Sequence, residues 1–229
     1  MTQVSHQPGR HRFLWPAVGV VGAALIFGAM AMWVRFGPVG LDAGILQALE
    51  AARSTRATET VVAITTFGRG PVTAAIIALV AAWLLVRGYG KEAAFLVIAN
   101  LGSGILTLGL KKVFARPRPP LDVVTRITDP EGFSFPSGHA LSAMVLYTSL
   151  ATMAAGLGLP RLKRALIALA LIIVPTMGFT RVYLGVNYPS DVIGGWALGA
   201  CWVWLVYLGY LMRTQNVPAA RNPNSLLLP

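Results

Sequence analysis

Apolar residues fall along this chain in six long blocks separated by short polar connections, which predicts helices that cross a membrane. The first block, Phe13 to Val34, is 22 residues without a charge, enough for a hydrocarbon layer of about 30 Å. Trp15 and Trp33 near its ends read as interfacial anchors, favouring a retained span over a leader cleaved near Ala29–Ala31. The second block, Pro71 to Val86, has 16 residues and must extend into its flanks to span. The third is Ala93 to Leu110, where Gly102, Gly104 and Gly109 permit close helix contact. The fourth runs from His139 to Leu159, and the fifth from Ala165 to Thr180 with a kink predicted at Pro175. The sixth is Val192 to Met212, with Gly195 and Gly199 four apart. Between the first two blocks, Asp42, Glu50, Arg53, Arg56 and Glu59 recur at helical spacing, with Leu41, Ile45, Leu46 and Leu49 on one side. That pattern predicts an amphipathic helix lying on the membrane surface. The expected fold class is all-α. Six transmembrane helices and one surface helix occupy residues 13–212, between polar tails at 1–12 and 213–229.

Composition agrees with a membrane protein. The chain is 55% hydrophobic and 12% charged, against roughly 25% charged for a soluble domain, and its mean hydropathy is +0.66. A net charge of +11 could indicate nucleic acid, but no basic stripe interleaved with aromatics is present. Anionic lipid headgroups or an anionic substrate fit the scattered cations better. Cys201 is the single cysteine, so no internal disulfide and no cysteine-based metal site can form. Six spans place both termini on one side and the loops 111–138 and 181–191 together on the other. Nine Lys and Arg lie on the termini side and ten on the loop side. The short turns carrying Arg87, Lys91, Arg161, Lys163 and Arg164 are dense in positive charge. This favours cytoplasmic termini and an extracytoplasmic site in a bacterial-type inner membrane.

The chemistry lies in those two loops. The first opens with Lys111 and reaches Arg118 seven residues later, then closes on Pro136-Ser137-Gly138-His139 at the start of a span. Free amides at a helix start suit an oxyanion. The second loop begins at Arg181 and ends at Asp191. Lys111, Arg118 and Arg181 would repel one another unless an anion sat among them, and guanidinium forks match phosphate oxygens. Taken singly, each residue has a plainer reading. Lys111 and Arg118 could meet headgroups, His139 could be structural, and Asp191 could answer a helix dipole. Their joint order on one face points to a phosphate site. A transporter is less consistent with few mid-span polar residues, mainly Asn100, Ser103 and Thr107, and no internal repeat.

These three segments resemble the signature of the phosphatidic acid phosphatase type 2 / vanadium haloperoxidase superfamily, in its six-span membrane branch. The likeness covers about residues 60 to 212. It implies a lipid phosphate or diphosphate substrate and no metal or other cofactor. It implies that Lys111, Arg118, Ser137, Gly138 and Arg181 bind phosphate and that His139 protonates the leaving alkoxide. It further implies a histidine nucleophile at position 187, oriented by Asp191. Here Asn187 stands at that position, and Thr180 where serine is usual. An amide nitrogen has its lone pair delocalised and cannot form the phosphoenzyme. Three readings of Asn187 stand: an inactivating substitution that holds substrate, a natural loss leaving a binding protein, or a step carried by His139 or water.

Overall fold

The computed structural model describes residues 11–37, 40–68 and 70–215, and among them every regular element is helical. In chain order these are α1 (His11–Phe36), α2 (Gly40–Ala51), α3 (Thr55–Thr66), α4 (Gly70–Val86), α5 (Gly90–Phe114), α6 (Gly138–Gly156), α7 (Pro160–Tyr183) and α8 (Pro189–Gln215). Most of both expected polar tails lies outside the described residues. Helix nevertheless reaches into each of them, to His11 at one end and Gln215 at the other.

Each of the six apolar blocks is helical, but the helices overrun most of them, while α6 stops at Gly156, three residues short of the fourth block's end. The basic turn expected at 160–164 is the first turn of α7, which also continues through Pro175. Proline at the first helical position suits that start, because its missing N–H is one that would lack a partner anyway. Lys111 belongs to the last turn of α5 rather than to a loop. That helix stops at Ala115, whose left-handed φ of 43° turns the chain away while its amide bonds the Lys111 carbonyl at 2.9 Å.

Among the described residues, four helices are long and apolar enough to cross a membrane: α1, α5, α7 and α8. A fifth crossing results if α3 and α4, bent by 43° at their junction, count as one. The shortfall from six has two causes. At 17 residues α4 is about 25 Å long, slightly less than a hydrocarbon core. Helix α6 is enclosed by α4, α5, α7 and α8. It can therefore carry His139, Ser142, Tyr147, Thr148 and Ser149 without presenting them all to lipid.

The segment expected as one surface helix is two helices, α2 and α3. Leu41 and Ile45 point outward, whereas Leu46 and Asp42 are buried. Ser54 caps α3 by accepting from the Ala57 amide at 3.3 Å. Arg53, at the break, donates to the Tyr183 carbonyl at 2.7 Å and the Thr125 carbonyl at 2.7 Å. One side chain thereby ties the α2–α3 corner to both loops.

The main contact layer joins α6 to α7 and α8, with α1 packed along α8. A Cβ on Gly195 would lie 2.6 Å from the Ser137 carbonyl, and one on Gly199 3.0 Å from the Leu141 carbonyl. The glycine pair read from sequence is thus where two backbones touch. Of the third-block glycines, Gly102 meets Trp202, while Gly104 and Gly109 face open space. The mid-span polar groups are satisfied within the bundle. Asn100 donates to the Leu96 carbonyl at 2.9 Å, and Ser103 and Thr107 bond carbonyls of their own helix.

Candidate active site

Both loops come together where the starts of α6 and α8 meet the ends of α5 and α7. Helix α8 begins with Pro189 in its first turn, and Asp191 reaches back to accept from the Tyr188 amide at 2.8 Å. This is one half of a capping box, the carboxylate reaching back to the amide three residues before it, built on a buried aspartate. The Ser137 amide bonds the Asp191 carbonyl at 3.0 Å, which fixes the start of α6 against the start of α8. Ser137 stands at the N-cap of α6 but makes no side-chain capping bond, and its buried Oγ has no hydrogen-bond partner. A helix start whose cap hydroxyl is unused is a ready acceptor of an anion. Gly138 follows, facing the Thr107 methyl.

Arg181, in the last turn of α7, is 6% exposed and donates to Thr65 Oγ1 at 3.1 Å. Its carbonyl accepts from the amides of Val186 and Asn187, so the α7–α8 turn closes on it. Lys111 donates to the Phe133 carbonyl and lies within electrostatic reach of Arg118, Arg181 and Asp191. Arg118 bonds three carbonyls, Gly132 at 3.0 Å, Glu131 at 3.1 Å and Val186 at 2.7 Å. It therefore holds the first loop in shape as well as adding charge, and burial lowers its pKa from the ordinary arginine value. His139 lies in the first turn of α6, with its ring against Gly68, where a Cβ would stand 2.8 Å from Cδ2.

Asn187 is 3% exposed and points inward. Its Nδ2 donates to the Ser134 carbonyl at 2.8 Å and, at 3.4 Å, to Asp191 Oδ2. Asp191 Oδ1 accepts from Arg116 at 2.6 Å. The same guanidinium donates to Asp42 at 2.8 Å and to the Ser190 hydroxyl at 2.7 Å, and lies 3.9 Å from the Tyr188 ring centroid. Asp42 in turn accepts from the Ser190 amide at 3.1 Å. Burial works against the charge on Arg116, but Asp191 and Asp42 outweigh it and hold its pKa above the ordinary arginine value.

All eight sequence-derived residues therefore gather at one end of the bundle. The sequence reading had passed over Arg116, Asp42, Thr65, Ser134 and Gly68. A lone aspartate in an apolar stretch was a usable signal for Asp42, and the arginine two before Arg118 for Arg116. Ser134 acts through its carbonyl, for which no side-chain pattern exists.

The PAP2 superfamily signature matches residues 92–215. Phosphatidylglycerophosphatase B of Bacillus subtilis is 35% identical over 105 residues, covering 44% of this chain and 50% of that protein. Decaprenylphosphoryl-5-phosphoribose phosphatase of Mycobacterium tuberculosis is 38% identical over 92 residues, covering 40% of this chain and 46% of that one. The chain spans about half the length of these curated relatives. The crystal structure of a transmembrane PAP2 type phosphatidylglycerolphosphate phosphatase from Bacillus subtilis superposes with a TM-score of 0.77 at 26% identity. That match covers 87% of this chain and 98% of the other.

Proposed function

The chain belongs to the PAP2 superfamily of membrane lipid phosphatases, and from that membership we propose a metal-independent lipid-phosphatase site whose turnover is impaired at Asn187. In this reading the phosphate of a lipid phosphate or diphosphate sits among Lys111, Arg118 and Arg181, on the Ser137 hydroxyl and the Gly138 amide. Charge supports it. Arg116, Lys111, Arg118 and Arg181 supply four positive charges, and Asp42 and Asp191 two negative ones. That excess of positive charge favours a phosphate anion.

With a histidine at 187, the ring nitrogen would attack phosphorus while His139 gives its proton to the departing alkoxide. Water would then release phosphate from the phosphohistidine. Asp191 and the Ser134 carbonyl would stand at the ring's other nitrogen. The observation that carries this reading is the Asn187 side chain, which already donates to Asp191 and to the Ser134 carbonyl. It makes the inner contacts expected of an imidazole N–H and lacks the outer nitrogen that would bond phosphorus.

Those same contacts favour a second reading, a lipid-phosphate-binding protein without turnover. Both amide protons are engaged internally, and the amide lone pair is delocalised. On either reading we place six spans in the membrane, termini in the cytoplasm and the site on the extracytoplasmic face.

The test is Asn187→His, with phosphate release measured on phosphatidate, phosphatidylglycerol phosphate and a polyprenyl diphosphate. Losing a nucleophile costs on the order of 10⁴ to 10⁶ in rate in other enzymes, so a gain of about 10³-fold or more on at least one substrate is expected. No gain on any of them rejects the impaired-phosphatase reading and leaves binding.

A further inference from the structure

Asp191 has little left to offer position 187. One carboxylate oxygen is taken by Arg116 at 2.6 Å, and the other accepts the Tyr188 amide at 2.8 Å. Its contact with Asn187 is the longest of the three, at 3.4 Å, whereas the uncharged Ser134 carbonyl holds the same amide nitrogen at 2.8 Å. Arg116 lies outside the phosphate-binding set and is itself fixed from below by Asp42, 74 residues away on α2. Asp42 also bonds the Ser190 amide and hydroxyl, so one carboxylate holds both the arginine and the first turn of α8.

We propose that Arg116, carried by Asp42, is a positioning residue that fixes and neutralises Asp191, leaving the side chain at 187 oriented chiefly by the Ser134 carbonyl. This deepens the phosphatase reading and rests on it, because the purpose of the clamp is the protonation state of a nucleophile at 187. An imidazole attacks phosphorus only when neutral. A bare buried carboxylate beside it would favour the imidazolium, and a carboxylate already paired with a guanidinium does so far less. The remaining charges around this position are the same whichever way the clamp is set. They are Lys111 from α5, Arg118 from the first loop and Arg181 from α7, with Asp122 near Tyr188; the titratable His139 stands on α6.

The test uses the full chain carrying Asn187→His. The protein has three histidines, His6, His11 and His139, so isotope-labelled histidine reports the introduced ring as one additional NMR titration. Arg116→Gln combined with Asp42→Asn removes the clamp without leaving Asp42 as an unpaired charge. The midpoint of the introduced ring should then rise by about one pH unit or more. The acid limb of any turnover should move up with it. Arg116→Lys should hold the midpoint near its starting value, and Asp42→Asn alone, which keeps the Arg116–Asp191 pair, should shift it less than the double substitution. An unchanged midpoint in the folded double variant overturns the proposal. So does an equal shift from Asp42→Asn alone; should the double variant not fold, a rise of about one pH unit in Asp42→Asn, where Arg116 still pairs with Asp191, overturns it. The titration is read with or without turnover. Absent phosphate release from Asn187→His therefore counts against the phosphatase reading, while the midpoint still decides the role of Arg116.

Discussion

At position 187, asparagine and histidine share an inner edge and differ at the outer one. Each can present an N–H toward the Ser134 carbonyl and Asp191, which is why Asn187 sits buried without disturbing the bonds around it. Only the ring carries a second nitrogen with a free lone pair. His139 is the other residue on which the proposed chemistry turns, and Gly68 is what lets its ring approach the α3–α4 junction so closely. If His139 protonates the leaving alkoxide, His139→Ala in the Asn187→His background should slow alkyl phosphate hydrolysis by about 10²- to 10⁴-fold. The penalty should shrink for aryl phosphates, whose leaving groups need no proton. Steady-state rates across a leaving-group series check this, and an equal penalty for all would argue against the general-acid role.

Among the elements, α6 and α8 position the helix start proposed to bind the anion, and they do so by backbone contact. Gly195 faces the Ser137 carbonyl closely enough that even a methyl group must displace it. Gly195→Ala should cost about 1–3 kcal/mol through overpacking. It should also weaken binding of an inorganic phosphate analogue such as vanadate, because Ser137 moves. Gly104→Ala, at a position facing open space, is the matched control. Thermal unfolding in detergent and vanadate titration measure both, and a Gly195→Ala protein as stable as the control would show that the contact yields freely. The same scale shows what periodicity leaves open. The stripe Leu41, Ile45, Leu46, Leu49 suggested a single face. Helical spacing says which residues share a side, but not whether lipid, water or another helix lies beyond it. Asp42 decided the orientation of α2 by pairing with Arg116, and that turned Leu41 and Ile45 outward.

For the whole molecule, the proposed topology makes a direct prediction. In a Cys201→Ser background, Leu121→Cys in the first loop should react with a membrane-impermeant maleimide on intact cells. Arg161→Cys in the opposite turn should react only after permeabilisation. The reverse pattern would invert the orientation argued from Lys and Arg distribution. The long apolar segments were legible from sequence because a hydrocarbon layer imposes its demand locally, on about twenty consecutive residues at a time. The eight motif residues were legible for a related reason, since each is a charged or turn-forming group confined to a short loop between such segments. The enclosure of α6 was not, because whether Tyr147 or Ser149 meets lipid depends on which helices stand beside it. Nor was the clamp on Asp191. Arg116, Asp42 and Asp191 come from three parts of the chain 74 and 75 residues apart, and the Ser134 carbonyl that steadies position 187 is a group every residue possesses. Local composition could decide where the chain crosses and which residues carry charge. Only the packing of α2, α5, α6 and α8 around one point decided which charges neutralise one another, because Coulomb and hydrogen-bond energies depend on separation in space, not along the chain.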